Sequence, residues 1–452
     1  MKATPDIFKA YDIRGIYPGE FDEVTAAQVG RAFVAHLQAR RIAVGRDMRV
    51  SSPALAAAFI DGARAQGADV VDYGMISTDM LYHAVIHDEH EGGAQITASH
   101  NPKQYNGAKL VGRHAFPLSG DAGISDIRDV ILADAIPPPA DSPGTLSTTD
   151  VLDRYIPHVM SFINPAAIKP FRLVLDAGSG MAGLVAPRLF DALPCRTTRL
   201  CFEIDGTFPI HEANPLIEAN RRDLVEAVVA SGADAGIAWD GDADRCFFVD
   251  GDGAFVAGDF ITVLLAESFL LKHPGDAIVY DVRASHAVPD VVAAHGGTAL
   301  MNRVGHAFFK KRMRDDNAVF GGEVTGHYYF RDNGFADNGF IPALLILELM
   351  SSRNATLREL LAPLRAKYFI SGELNTSVAS MATVQPTLDA IAERYADGIQ
   401  HRMDGVSVEY LDWHFNVRPS NTEPLLRLNL EATTAALMAA KRDEVLSFIR
   451  SR

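Results

Sequence analysis

Cysteine is scarce in this chain: Cys195, Cys201 and Cys246 are the only three in 452 residues, and none forms a C-x-x-C pair. That argues against a disulfide framework or a four-cysteine zinc site, and a reducing cytoplasmic setting is the expected home. No apolar run approaches the ~18 residues that a membrane-spanning helix needs. Met1-Lys2-Ala3-Thr4-Pro5-Asp6 does not read as a secretory signal, so no membrane association is expected. Basic residues are outnumbered, 42 Lys+Arg against 57 Asp+Glu, for a net charge of −15. A broad basic face for nucleic acid is therefore not expected. An acidic protein still binds a small anion where arginines, lysines and backbone N–H groups converge. Hydrophobic content of 48% and charged content of 22% describe an ordinary globular chain. Its length allows about three or four domains. Composition points to an enzyme or small-ligand binder and goes no further.

What is present has an alternating rhythm. A helical pattern from about Val24 to Arg40 leads to a short strand near Ile42–Val44. Pro53 opens a second helix, Ala54 to about Arg64, at the first-turn position that proline favours. Strands follow at about Asp69–Asp72 and in the run ending at Ile96. A β-α-β-α-β order of this kind implies a mostly parallel sheet covered by helices. The Pro-, Ser- and Thr-rich segment from Ile136 to Thr149 reads as a linker. Beyond it, strands are expected at Arg172–Asp176, Ala235–Trp239, Ala277–Asp281 and Thr298–Asn302. The helices read at Val151–Ile163, Asn220–Ser231, Asp259–Lys272, from Ser285, and at Ile341–Ser351, the last apolar nearly all round and hence buried. After Lys367 the strands shorten, and a helix from about Thr434 to Arg450 ends a smaller α+β domain.

Two loops carry the chemistry. Thr97-Ala98-Ser99-His100-Asn101-Pro102 follows the strand ending at Ile96, which places Ser99 on an exposed loop past a strand end. Asp240-Gly241-Asp242-Ala243-Asp244-Arg245 follows the strand Ala235–Trp239, and its alternating carboxylates aim oxygens at one point. Hard oxygen ligands suit Mg2+. The loop is not an EF-hand, because Arg245 stands at the sixth position and Gly251 at the twelfth. A solvated acidic turn is the plainer alternative, although three crowded carboxylates without a counter-ion repel one another. Gly178-Ser179-Gly180-Met181-Ala182-Gly183 fits G-x-G-x-x-G, with Glu203 and Asp205 at about the distance of a ribose-binding acid. That is the case for a nicotinamide-dependent dehydrogenase. Tight turning and close helix–strand packing explain the same glycines, and a dehydrogenase leaves Ser99 and the Asp loop unused.

Read together in chain order, these motifs resemble the α-D-phosphohexomutase superfamily. Tyr11-Asp12-Ile13-Arg14-Gly15 matches its opening motif, the Ser99 hexapeptide its phosphoserine loop, and Tyr105-Asn106-Gly107-Ala108-Lys109 the continuation. Asp240–Arg245 matches the metal loop and Gly322-Glu323-Val324-Thr325-Gly326-His327 the sugar-binding loop. Arg418-Pro419-Ser420-Asn421-Thr422-Glu423-Pro424 matches the phosphate loop. Thr325 stands where the family often has Ser, Val324 where Met is common, and Pro419 removes a backbone donor from the phosphate loop. The resemblance implies an α/β fold of four domains around a central cleft, three of them repeated α/β domains with mixed sheets plus a smaller C-terminal α+β domain. The expected boundaries are 1–147, 148–250, 251–366 and 367–452.

The same resemblance assigns roles. Ser99 would carry a phosphoryl group and share Mg2+ with Asp240, Asp242 and Asp244. Lys109 would be a general acid/base with a pKa lowered by cationic neighbours, or alternatively a charge clamp. Arg245 would help place the phosphate, and His306 would assist from the other side of the sugar. Tyr11, Arg14, Arg283, Glu323, Thr325 and His327 would contact the hexose phosphate, with Arg418, Ser420, Asn421 and Thr422 gripping its distal phosphate. Hexose 1,6-bisphosphate would be the intermediate, and its reorientation calls for a lid hinged about residues 365–370. The partners implied are small hexose phosphates, and the expected state is a monomer or weak homodimer. The sugar loop looks more like those of bacterial phosphomannomutases than of single-specificity phosphoglucomutases, which would place the product upstream of GDP-mannose. Phosphoglucomutase or phosphoglucosamine mutase activity is the near alternative. A non-catalytic sugar-phosphate sensor is a third class, which intact Ser99, Lys109 and the Asp trio disfavour.

Overall fold

The computed structural model describes residues 4–420 and 425–452. Two compact units emerge, Met1–Val256 with Thr325–Leu357, and Ala257–Val324 with Arg358–Arg452.

The first unit opens with β1 (Ile13–Ile16), α1 (Glu23–Leu37), β2 (Arg41–Arg46), α2 (Ser52–Ala65), β3 (Asp69–Met75), α3 (Thr78–His87), β4 (Gly92–Ile96), β5 (Tyr105–Gly112), α4 (Ser125–Leu132) and β6 (Leu146–Thr148). Asp22 starts α1 by accepting a hydrogen bond from Thr25 N at 2.8 Å. The six strands run in the order β1-β5-β4-β2-β3-β6. β2, β3, β4 and β6 are mutually parallel where they pair, whereas β5 lies antiparallel between β4 and β1. The sheet is therefore mixed, because Tyr105–Gly112 returns directly from the Ser99 loop as a hairpin partner and leaves no room for a crossover helix. β4 is buried at every position, as a central strand covered on both faces should be. The expected linker is not wholly irregular: Leu146–Thr148 pairs with Val70–Asp72, since three extended residues suffice to cover an open parallel edge.

A second sheet follows from α5 (Leu152–Met160), β7 (Arg172–Asp176), α6 (Ala182–Phe190), β8 (Arg196–Leu200), α7 (Arg222–Ser231), β9 (Ala235–Trp239), β10 (Cys246–Asp250) and β11 (Phe255–Val256). Its order is β11-β10-β9-β7-β8, parallel through β9, β7 and β8 and antiparallel beyond. The glycines of the G-x-G-x-x-G stretch are packed against backbone: a Cβ on Gly180 would lie 2.6 Å from Gly241 O, and one on Gly183 2.6 Å from Phe202 O. Close chain contact is what these glycines permit.

In the second unit, α8 (Gly258–Lys272), β12 (Ala277–Asp281), α9 (Ala287–Ala294), β13 (Thr298–Asn302), α10 (His306–Asp315) and β14 (Phe320–Gly322) continue the alternation. β12 pairs in parallel with both β13 and β14. β15 (Tyr328–Phe330), β16 (Ala336–Asp337) and α11 (Ile341–Arg353) belong to the first unit. α11 is buried along nearly its whole length, as its apolar circumference predicts. After α12 (Leu357–Lys367) come β17 (Phe369–Ile370), β18 (Leu374–Ser377), α13 (Met381–Arg394), β19 (Ile399–His401), β20 (Val406–Glu409), β21 (Trp413–Pro419), β22 (Leu425–Ala432) and α14 (Ala435–Arg450). Their sheet is antiparallel throughout, with a core of its own that includes Ile391, Val417, Leu428 and Ile449.

Candidate active site

Sequence locality forms the first half of the site. β4 ends at Ile96 and the chain turns sharply, with Ser99 at φ +49°, in the left-handed region that a non-glycine residue rarely occupies. Ser99 N donates to Thr97 Oγ1 at 2.9 Å. The turn is held from beneath by Arg49, which is 1% exposed. Its guanidinium donates to the carbonyls of Ser99 (2.8 Å), Asn101 (2.6 Å), Pro102 (2.8 Å) and Tyr105 (3.0 Å). Asp47 neutralises it at 3.2 Å and also accepts from Ser52 Oγ and Thr97 Oγ1 at 2.5 and 2.7 Å. Neither Arg49 nor Asp47 belongs to the motifs singled out above. The signal available was Asp47-Met48-Arg49 just after a strand, and sequence alone does not say which loop such a fork will grip.

Against this turn sits the loop after β9. A Cβ on Gly241 would lie 2.5 Å from Ser99 O, so glycine is what allows the two loops to touch. Ser99 is fully buried, contrary to the expected exposure, because this second loop covers it. Its Oγ donates to Asp240 Oδ2 at 2.8 Å and lies 3.2 Å from His100 Nδ1. Burial, then Arg245 and Arg14, hold the His100 imidazole well below its ordinary pKa. A neutral imidazole beside the serine oxygen was not anticipated, although His100 adjoins Ser99 in the chain.

Asp240, Asp242 and Asp244 are buried, with ligand oxygens all within 4.8 Å of one another. Thr78 and Lys109 donate to Asp242 Oδ2 at 2.5 and 2.6 Å, and Lys109 also bonds Asp244 Oδ2. That leaves Asp242 Oδ1 and Asp244 Oδ1 buried without hydrogen-bond partners among the described residues. Buried carboxylate oxygens of this kind, in a trio whose ligand atoms lie within 4.8 Å of one another, fit a hard divalent cation. Burial, reinforced by Asp244 and Asp242, pushes the Asp240 carboxyl up to about 7. Asp244 goes the other way: burial acts to raise it, but Lys109, His327 and Arg245 together hold it low.

Lys109 departs from expectation. Its nearest charged neighbours are carboxylates, and although burial acts to lower its pKa, Asp242, Asp244 and Asp240 together raise it above the usual lysine range. The ammonium is thus secured in its charged form, as a clamp would be. Arg245 N donates to Asp240 Oδ1 at 3.2 Å, and its Nε lies 3.5 Å from Asp240 Oδ2. Arg14 joins the same unit by donating to Asp12 Oδ2 at 2.7 Å and to Asn101 Oδ1. Tyr11 beside it is half-buried. His327 Nδ1 stands 3.8 Å from Asp244 Oδ1 and 3.2 Å from Asp337 Oδ2, so the loop read as sugar-binding also reaches the carboxylate cluster. Thr325, half-buried, begins this segment.

The second unit holds its own polar cluster. Arg283 chelates Asp281, through Nε at 3.1 Å and Nη2 at 2.8 Å, and donates to Glu373 Oε2 at 3.1 Å. Arg418 Nη2 reaches that same oxygen at 3.1 Å, and Arg427 Nη1 reaches Oε1 at 3.4 Å. Burial alone would raise the Glu373 carboxyl, but Arg283, Arg418 and Arg427 bring it down to about 2. The Nε groups of Arg418 and Arg427 are buried and make no hydrogen bond among the described residues. Three guanidinium groups around one carboxylate, with donors to spare, form an anion-gripping arrangement. Glu323 Oε2 accepts from Gly305 N at 3.1 Å and lies 3.9 Å from Arg283 Nη2. His306, buried in the first turn of α10, and buried Ser420 lie in this unit too. Pro419 faces Leu426 in the β21–β22 register, so its missing donor falls within a strand. Asn421 and Thr422 lie outside the described residues. Glu373 and Arg427 were missed from sequence, being isolated charges outside any motif.

Family models described as phosphoglucomutase/phosphomannomutase α/β/α domains I, II and III match residues 5–135, 153–253 and 257–368, and the C-terminal domain model matches 373–447. A phosphomannomutase of Salmonella montevideo is 41% identical over 455 residues, covering 98% of this chain and 99% of its own. A protein of Xanthomonas campestris pv. campestris named for phosphohexose mutases is 41% identical over 450 residues, covering 99% and 100%. Among solved structures, a phosphoglucomutase/phosphomannomutase family protein from Burkholderia thailandensis superposes with a TM-score of 0.88 at 33% identity, covering 99% of this chain and 98% of its own. With all four domain models matched in order and full-length relatives at this identity, the chain belongs to the phosphoglucomutase/phosphomannomutase family.

Proposed function

We propose that this protein is a phosphomannomutase, interconverting mannose 6-phosphate and mannose 1-phosphate through a phosphoserine at Ser99 and a hexose 1,6-bisphosphate intermediate. The observation that carries it is the Ser99 hydroxyl, buried 2.8 Å from Asp240 at the head of a carboxylate trio with unpaired oxygens, in a chain 41% identical to phosphomannomutases. Asp240, Asp242 and Asp244 would hold Mg2+, which when bound supplies positive charge to the transferring phosphoryl group. In the first half-reaction the bond from phosphorus to Ser99 Oγ breaks and one to a free hexose hydroxyl forms, the proton lost by that hydroxyl being matched by one taken up at Ser99 Oγ. The second half-reaction reverses this from the other end of the sugar. Lys109 keeps the carboxylates from repelling one another and adds charge stabilisation, the dominant contribution in phosphoryl transfer. Arg245 and Arg14 orient the seryl phosphate. Glu323, Thr325 and His327 read sugar hydroxyls, Arg283 and His306 assist, and Arg418 and Ser420 take the distal phosphate. Three unpaired thiols suit a reducing cytoplasm.

Intact mass and peptide mapping after incubation with the bisphosphate should find one phosphate on Ser99. Ser99→Ala should lose that phosphate and at least about a thousandfold in kcat. Full turnover by the alanine variant overturns the reading. Comparing kcat/KM on the 6-phosphates of mannose, glucose and glucosamine decides the sugar, and a preference for glucosamine would replace the phosphomannomutase assignment.

A further inference from the structure

Away from the carboxylate centre, α3 and α5 bring three histidines together. His83 and His87 are four residues apart on α3 and so share one face of that helix. His158 comes from α5. Each offers a ring nitrogen within 4.8 Å of the others. The ring centroids are 4.3, 4.9 and 5.4 Å apart. Three imidazoles on one tetrahedral zinc, with Zn–N of about 2.0–2.1 Å, would have centroids about 5 Å apart, so small side-chain rotations suffice.

We propose that His83, His87 and His158 bind a divalent transition ion of the zinc class, at a site distinct from the Asp240–Asp244 centre. His83 is 7% exposed, and its Nδ1 is buried with no hydrogen-bond partner among the described residues, an expense that ligation would relieve. His158 Nε2 lies 2.8 Å from Asn333 Oδ1. With its proton donated there, the Nδ1 lone pair is free for a metal, and Asn333 fixes the ring as second partners of ligating histidines commonly do. Burial first, then His87 and His158, bring His83 down to about 3, and burial followed by His158 lowers His87. Nitrogen-only donors favour Zn2+, Co2+ or Ni2+ over Mg2+, which takes oxygen. His87 is exposed, which gives an ion a path in and leaves the fourth position to water. An ion here would pin α3 to α5. At its other end α3 presents Thr78, whose Oγ1 and N donate to Asp242 Oδ2 and O at 2.5 and 3.1 Å, so the pinned helix also supports the carboxylate loop.

The test is equilibrium dialysis of the full-length protein against Zn2+ in a large excess of Mg2+, followed by metal analysis. Visible spectra of the Co2+ form accompany it. One Zn2+ per chain retained, and Co2+ bands characteristic of nitrogen ligation, are expected of the native protein and of Asp242→Asn. In His87→Ala and His158→Gln, affinity should fall about tenfold or more, and Zn2+ should no longer raise the melting temperature. Failure to retain Zn2+ overturns the proposal. So does retention that survives both histidine variants, or that disappears only in Asp242→Asn.

Discussion

Two side chains outside every recognised motif organise polar clusters, Arg49 in the first unit and Glu373 in the second. Arg49 spends its fork on four loop carbonyls and a buried carboxylate, so it fixes where Ser99 Oγ stands without needing to touch a substrate. Arg49→Met should destabilise the first unit by about 3–5 kcal/mol in urea unfolding, because Asp47 is left buried and unpaired. Arg49→Lys keeps the charge but not the fork. Its kcat should fall about 10–100-fold with KM for hexose phosphate nearly unchanged, and a rise in KM alone would contradict a positioning role. Glu373 supplies a pH dependence in the second unit. Its carboxyl is held at about 2 against a reference of 4.5, so the folded form binds protons more weakly than the unfolded one. The resulting stability is complete above the reference value and is lost as pH falls from about 5 through about 2. Glu373→Gln should therefore be less stable at pH 7 and flatter in stability between pH 6 and 3. Parallel curves for the two proteins would refute the assignment.

At the scale of elements, helix crossing explains glycines that propensity would not place. α1 and α2 meet where a Cβ on Gly30 would sit 2.2 Å from Phe59 O and one on Gly62 2.1 Å from Ala27 O. Helix propensity favours Gly30→Ala by ~1 kcal/mol, while forcing the helices apart costs about 1–3 kcal/mol plus the loss of neighbouring contacts. The clash should win, so Gly30→Ala is expected to lower the urea midpoint, and a raised midpoint would show that the crossing yields easily. The elements themselves were legible to different degrees. Ala235–Trp239, Ala277–Asp281 and Thr298–Asn302 coincide with the strands expected from their apolar runs. α3 was not anticipated, because Thr78–His87 is buried on nearly all sides and shows no polar stripe. Leu146–Thr148 looked like linker for the converse reason: an exposed edge strand needs no apolar alternation.

At the scale of the whole molecule, the chain passes between its two units at residues 256/257, 324/325 and 357/358. Each unit has cores of its own. The only two tryptophans divide between them, Trp239 buried in β9 and Trp413 in β21. Trp413→Phe leaves a fluorophore in the first unit alone, and Trp239→Phe one in the second. Their urea transitions should have midpoints separated from each other, and calorimetric and van't Hoff enthalpies should disagree. Coincident transitions would mean that the units unfold as one.

The amino-acid order alone marked the loops that meet at the carboxylate centre. Ser99, the Asp240–Asp244 trio and Lys109 lie in short contiguous motifs, and a tight turn or a strand end is specified locally by glycine, proline and apolar runs. It also settled the α/β alternation and the change to shorter strands after Lys367, since both follow from local periodicity. Tertiary structure decided everything that depends on which chain segment faces which. Ser99 is buried because Gly241 lets a loop some 140 residues away close over it. Lys109 is charged because two of its neighbours are Asp242 and Asp244 rather than the cations expected of it. Arg283, Arg418 and Arg427 become one cluster only through Glu373. Desolvation and Coulomb interaction act over a few ångströms of space, and separation along the chain says nothing about that distance.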